Sequence, residues 1–237
     1  MLRLRVALFA VVALLLAAGC SHDLERVTLP PEAPMDDIRK IAVVGITNFT
    51  VDPGLGLLFE QAVASNLRAS DRYEIIDSAT ARAAMARLGV SLDQLASPET
   101  AQEVGRAIGA DALIWGSANY YFEDTRLSAP QCFNCGVPNR TPYWSVTQTT
   151  DVVATFQARV SKTSTGAIIW SNLIEGREST TRTISINWSQ AEPPPSSLLP
   201  STDRADIPRT REAAVGEAAD SFTKDLLPRQ VWVRRDG

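Results

Sequence analysis

The run from Ala101 to Ser117 constrains the fold more than any other stretch of this 237-residue chain. Ala101, Val104, Gly105 and Ile108 recur at i, i+3, i+4 and i+7, the spacing of one helix face. Gly109 follows, the residue best able to take the left-handed conformation that ends a helix. Ala110-Asp111-Ala112-Leu113-Ile114-Trp115-Gly116-Ser117 is then a short apolar run closed by Gly and Ser, the pattern of a strand covered on both faces. Such a strand lies inside its sheet, so the other elements have to flank and cover it.

Elements able to do so stand on either side. Arg39–Ile46 is an apolar, β-branched run and reads as a buried strand, followed by a Pro53-Gly54 turn. Leu55, Leu58, Phe59, Ala62, Val63 and Leu67 mark an amphipathic helix ending near Ser70, and Tyr73–Ile76 a second short strand. Asp77 or Ser78 caps a helix with Ala81, Ala84, Met85 and Leu88 on its apolar face and Gly89 at its end. Ser97-Pro98-Glu99 opens the helix that feeds the central strand. Tyr120–Tyr143 reads as a loop. From Trp144 to Val160 the apolar residues share one parity, broken only by Gln148 and Thr150, which predicts a long half-buried antiparallel strand. Lys162–Gly166 turns it onto a partner at Ala167–Ile174. Glu192–Ile207 reads as a loop, and a last helix, about Arg209 to Leu227, buries Val215, Ala218, Phe222 and Leu226 before Pro228 stops it. The order β-α-β-α-α-β-β-β-α, with no strand expected between Tyr120 and Tyr143, predicts an α/β (α+β) domain: one mixed sheet with helices packed on it.

The start of the chain reads as a processing signal. Arg3 and Arg5 precede the apolar run Val6–Ala18, too short for a comfortable membrane span, and Leu16-Ala17-Ala18-Gly19-Cys20 supplies small residues and a cysteine. This resembles the bacterial lipoprotein signal, which implies that residues 1–19 are removed and that Cys20 carries the lipid. Ser21 after the cysteine fits the outer membrane within that resemblance. The chain is then anchored to the lipid bilayer through Cys20 with its domain in the periplasm. Losing residues 1–19 removes two arginines and no acid, moving the formal charge from −4 to −6. That balance argues against nucleic acid as a partner, since its binding is driven by neutralising phosphates with Lys and Arg. Residues 20–38 hold Pro30, Pro31 and Pro34 and read as a flexible tether of about 55 Å at about 3.1 Å per residue.

Four stretches carry a wider resemblance: "IRKIAVVGITNF" at the first strand, "RYEIIDSATARAAM" at 72–85, "AQEVGRAIGADALIWGSA" at 101–118 and "ATFQARVSKTSTGAIIWSNLIEG" at 154–176. Their order resembles the periplasmic domain of the CsgG superfamily, which includes curli-secretion lipoproteins and LpoB-type lipoproteins, here over 39–237. The resemblance implies a non-catalytic scaffold in an envelope secretion or export machine, self-associating or bound to other secretion or cell-wall proteins. An LpoB-like regulator docked on a peptidoglycan synthase is the alternative within the same resemblance. CsgG itself adds two membrane hairpins at places corresponding to 119–145 and 177–208. Arg182 and Glu178 on the would-be lipid face and Pro193, Pro194, Pro195 and Pro200 in the return segment make both inserts read as periplasmic loops instead.

Local chemistry is sparse, and no catalytic, cofactor-binding or metal residue is assigned. Cys132 and Cys135 are close enough for a local disulfide in an oxidising compartment, with a metal shared between subunits or a redox pair as the other readings. The lone histidine, His22, lies in the tether, which argues against a Ser-His-Asp or Cys-His arrangement and against an enzyme. Gly54-Leu55-Gly56 precedes a helix but lacks a third glycine, so a tight turn explains it before an anion site does. Asp111, at the mouth of the central strand, is expected to bind neighbouring backbone N–H groups. Trp115, Trp144, Trp170 and Trp188 read as core, and Tyr120, Tyr121 and Phe122 as an exposed patch able to form an interface.

Overall fold

A computed structural model describes residues 24–234; the leader, Cys20 and His22 lie outside them. The chain forms two compact units, one holding the residues up to Pro31 and from Pro228 onward, the other Glu32–Leu227.

The larger unit holds the expected sheet. In order come β2 (Lys40–Asn48), α1 (Leu55–Ala69), β3 (Glu74–Ile76), α2 (Ser78–Leu88), α3 (Pro98–Ile108), β4 (Ala112–Leu127), β5 (Gln131–Phe133), β6 (Tyr143–Lys162), β7 (Ile168–Ile186) and α4 (Ile207–Leu226). The strands lie β3-β2-β4-β6, with β7 on the other side of β6 and β5 continuing the β4 side at the start of β6. The pairs of β2 with β3 and β4 are parallel and the rest antiparallel, so the sheet is mixed, and it is open rather than a barrel. Gly89 and Gly109 end their helices at φ 69° and 67°, and Asp77 caps α2 by accepting from the Thr80 N–H at 2.8 Å.

The central strand is central because its two faces meet different helices. Ala112 and Ile114 join β2 and β6 under α1 and α4, where Phe59 stacks on Phe156 with ring centres 4.1 Å apart. Leu113 and Trp115 face α2 and α3, against Ala81, Met85, Ala101 and Val104. At its mouth Asp111 accepts from the Arg39 and Lys40 N–H groups at 2.9 and 2.8 Å, pinning the start of β2 to β4.

Three readings are corrected. The strands run further than the apolar runs that start them: β4 continues to Leu127 and β7 to Ile186, so much of 119–145 and 177–208 is strand rather than loop. These extensions carry Thr, Ser, Glu and Arg, whose side chains alternate between a half-covered face and water, so hydropathy alone did not mark them. The 20–38 tether is structured from Leu24 onward. Leu24–Leu29 is a strand, β1, paired with an unexpected β8 (Arg229–Arg234), and Ala33, Met35 and Ile38 are buried in the core of the larger unit. Trp188 is half-buried just beyond β7 rather than in the main core.

Candidate interaction surface

Helices α2 and α3 cover only the β2–β4 end of their side of the sheet, so the same side of β4, β6 and β7 is left open. Cross-strand rows on it read Ser117–Gln157–Leu173, Tyr120–Thr155–Glu175 and Phe122–Val153–Arg177. Tyr120, Phe122 and Leu173 are 52, 46 and 58% exposed. Exposed aromatic and aliphatic side chains on one sheet face make it the candidate interaction surface.

A bulge creates that surface. The β4–β6 register shifts between Ala118 and Tyr120, with Asn119 as the extra residue. Without it Tyr120 and Phe122 would share the parity of Ala118, which is buried under the helices. One inserted residue therefore turns two aromatic rings from core to surface. Tyr121 is turned the other way. Its hydroxyl donates to Glu123 at 2.6 Å, and burial first, then the Glu123 carboxylate, push its pKa far up, so it stays protonated. The three aromatics that the sequence groups together are thus split between two faces.

Charges of both signs surround the open patch. Arg126 bridges Asp124 and Asp151, and Arg177 donates to Glu175 at 3.0 Å. Arg159 lies 4.9 Å over the Trp115 ring, closing the patch toward α3. β7 borders the patch along 19 residues and, among the described residues, has no strand on its outer side. One of its backbone groups is covered, the Arg177 N–H, which donates to Glu217 of α4 at 2.7 Å.

On the reverse side, Gln148 and Thr150, the two breaks in the apolar parity of β6, are almost fully buried. Gln148 donates to the Asp203 carbonyl and accepts from the Asp203 N–H, both at 2.8 Å, fastening the 188–206 loop across the sheet. Thr150 meets Thr125 at 3.3 Å. Near the carboxyl end of β2 a cleft of about 360 Å³ is lined by Asp52, Gly54, Tyr121, Glu123 and Arg211. Its charges are already matched. Arg211 pairs with Asp52, which raises its pKa, and Arg204 pairs with Glu123.

Just before α1, Asp52 accepts from the Gly54 N–H at 2.8 Å, which sets a carboxylate beside the helix start. Gly56 has a packing reason, since a Cβ there would lie 2.8 Å from the Ile46 carbonyl oxygen. Cys132 and Cys135 are joined by a disulfide, Cα atoms 5.9 Å apart. The bridge packs with Trp144, Val146, Ile186 and Trp188 in a small cluster at the far end of β6, where Phe133 stacks on Tyr143 at 4.8 Å. Trp115, Trp144 and Trp170 are buried or packed against buried side chains, as their strand positions predict. Among the described residues no His, Cys, Asp and Glu cluster has the makings of a metal site, and no helix is long and apolar enough to cross a membrane.

No protein-family model and no curated protein matches the chain. Solved structures similar to it include the LpoB C-terminal domain from Salmonella enterica, at 17% identity over 62% of this chain and 84% of that one, with a TM-score of 0.37. Lipoprotein GNA1162 from Neisseria meningitidis gives 15% identity over 60% and 84%, with a TM-score of 0.42. The PelC dodecamer from Paraburkholderia phytofirmans gives 15% over 82% and 94%, with a TM-score of 0.38. At such scores the likeness assigns the chain to no family.

Proposed function

We propose that this chain is a non-catalytic lipoprotein, anchored in the outer membrane through Cys20, that serves as a self-associating scaffold of an envelope secretion or export machine. The observation that carries the reading is the open β4–β6–β7 face with its outward Tyr120, Phe122 and Leu173. A second copy is the fitting occupant. The charges that border the patch are balanced within the chain, Arg126 with Asp124 and Asp151 and Arg177 with Glu175, so the patch presents no single-sign field that would repel a copy. The long outer edge of β7 adds backbone groups that a second sheet can pair.

Docking across the periplasm on a peptidoglycan synthase is disfavoured. Such reach needs a long free tether, whereas Leu24–Leu29 is paired and Ala33 donates its N–H to Asp225 at 3.1 Å. A photo-crosslinking amino acid in place of Phe122 in the full chain, activated in cells, tests the proposal. The expected product is a cross-link to a second copy. Cross-links to other proteins alone would contradict self-association.

A further inference from the structure

The unit that holds both described chain ends has a chemistry of its own. β1 and β8 pair antiparallel over six residues each. The register sets Val27 opposite Val231, Glu25 opposite Val233 and Leu29 opposite Arg229, so Val27, Leu29, Val231 and Val233 share one face of the ribbon. The other face sets Arg26 opposite Trp232, the guanidinium 5.0 Å from the ring centre. Trp232, Val233, Leu29 and Val27 are 61, 45, 42 and 36% exposed. A two-stranded ribbon has no interior and is marginal alone in water, so each of its faces calls for a further surface, and Trp232 is the most exposed of these side chains.

Charge and position say which surface. Arg26, Arg229 and Arg234 against Glu25 give the ribbon a formal charge of +2 in a chain of −4. Only residues 21–23 separate Cys20 from β1 in the sequence, so at about 3.3 Å per residue the two are at most about 13 Å apart. On the face that holds it, Trp232 stands beside Arg26 rather than beside the aliphatic side chains, and an indole next to a guanidinium settles at a bilayer interface with the ring at headgroup level and the cation on lipid phosphates. We propose that the β1–β8 ribbon docks on a membrane surface bearing anionic phospholipids, with Trp232 at the headgroup–acyl boundary. The proposal rests on the anchor reading for its geometry, since a lipid on Cys20 holds the ribbon at that surface.

The test uses the full chain, purified from membranes and reconstituted in phosphatidylethanolamine–phosphatidylglycerol vesicles whose acyl chains are brominated near the headgroup. The wild type is expected to lose tryptophan emission by an amount that Trp232→Phe does not lose. Arg26→Gln is expected to weaken the vesicle partition of the unlipidated Cys20→Ser chain about fivefold. Equal quenching in wild type and Trp232→Phe would overturn the proposal. So would a Trp232 emission shift that grows with protein concentration and ignores vesicles, which would point to a second copy. Mass spectrometry of the amino-terminal peptide from the same sample reads the anchor separately. A bare Cys20 with Trp232-dependent quenching keeps the ribbon and removes the anchor reading. A lipidated Cys20 without such quenching does the reverse, and a bare Cys20 without it removes both.

Discussion

Glu60 completes a backbone pairing that β2 cannot complete alone. The β2–β4 register shifts between Val43 and Gly45, and the Ile46 N–H donates to Glu60 Oε1 at 2.8 Å while Arg82 pairs with the other oxygen. The carboxylate is 5% exposed, so Glu60→Ala leaves a buried donor unpaired and is expected to cost about 2 kcal/mol, read from the urea midpoint. A second expectation concerns acid. A hydrogen bond from Ser179, with help from Arg126, holds the Asp151 carboxyl below its ordinary 3.8, and Arg182 followed by the Ala205 N–H does the same for Asp203. Both groups are more acidic folded than unfolded. Their stabilisation is therefore full above about pH 4 and lost as pH falls through the lower folded values. Calorimetry should find a melting temperature insensitive to these groups above about pH 5 and falling below about pH 4; a flat profile down to about pH 2.5 would contradict it. Neither Glu60 nor the Asn119 bulge was legible in the sequence, because a single inserted residue leaves no trace in an apolar pattern. Asp111 was legible, because an acid opening a buried strand has few partners other than nearby N–H groups.

At the scale of elements, α4 seats on β7 through one glycine. A Cβ at Gly176 would collide with the Ala214 carbonyl oxygen, so Gly176→Ala has to push helix from strand. The expected loss is about 3 kcal/mol by chemical denaturation, with no comparable loss for Gly216→Ala, whose Cβ meets nothing within 4 Å. Helix ends, caps and the central strand follow from glycine, proline and apolar spacing, and the order of elements in the larger unit was readable from them except for the three-residue β5, which lies in a stretch read as loop. The outer halves of β4 and β7 were not. Their pairing with β6 is fixed by register, and residues such as Thr181, Arg182 and Thr183 alternate without contrast. β1 and β8 escaped for a related reason: each reads as a polar terminus until paired with the other.

At the scale of the whole molecule, a sheet covered by helices on one side and half covered on the other leaves a face that one chain does not close. The sequence pointed to that place through Tyr120 and Phe122, although the rings reach the surface by a bulge and Tyr121 turns away. The open face, the edge of β7 that no described strand pairs and the charges around them all bear on association of one chain with its copies. The most direct test is the molar mass of the purified full chain by light scattering, for wild type and for Tyr120→Asp/Phe122→Asp. An assembly of several chains is expected, falling toward the single-chain mass in the double variant with far-ultraviolet circular dichroism unchanged. A wild type that scatters as a single chain at every concentration would contradict it.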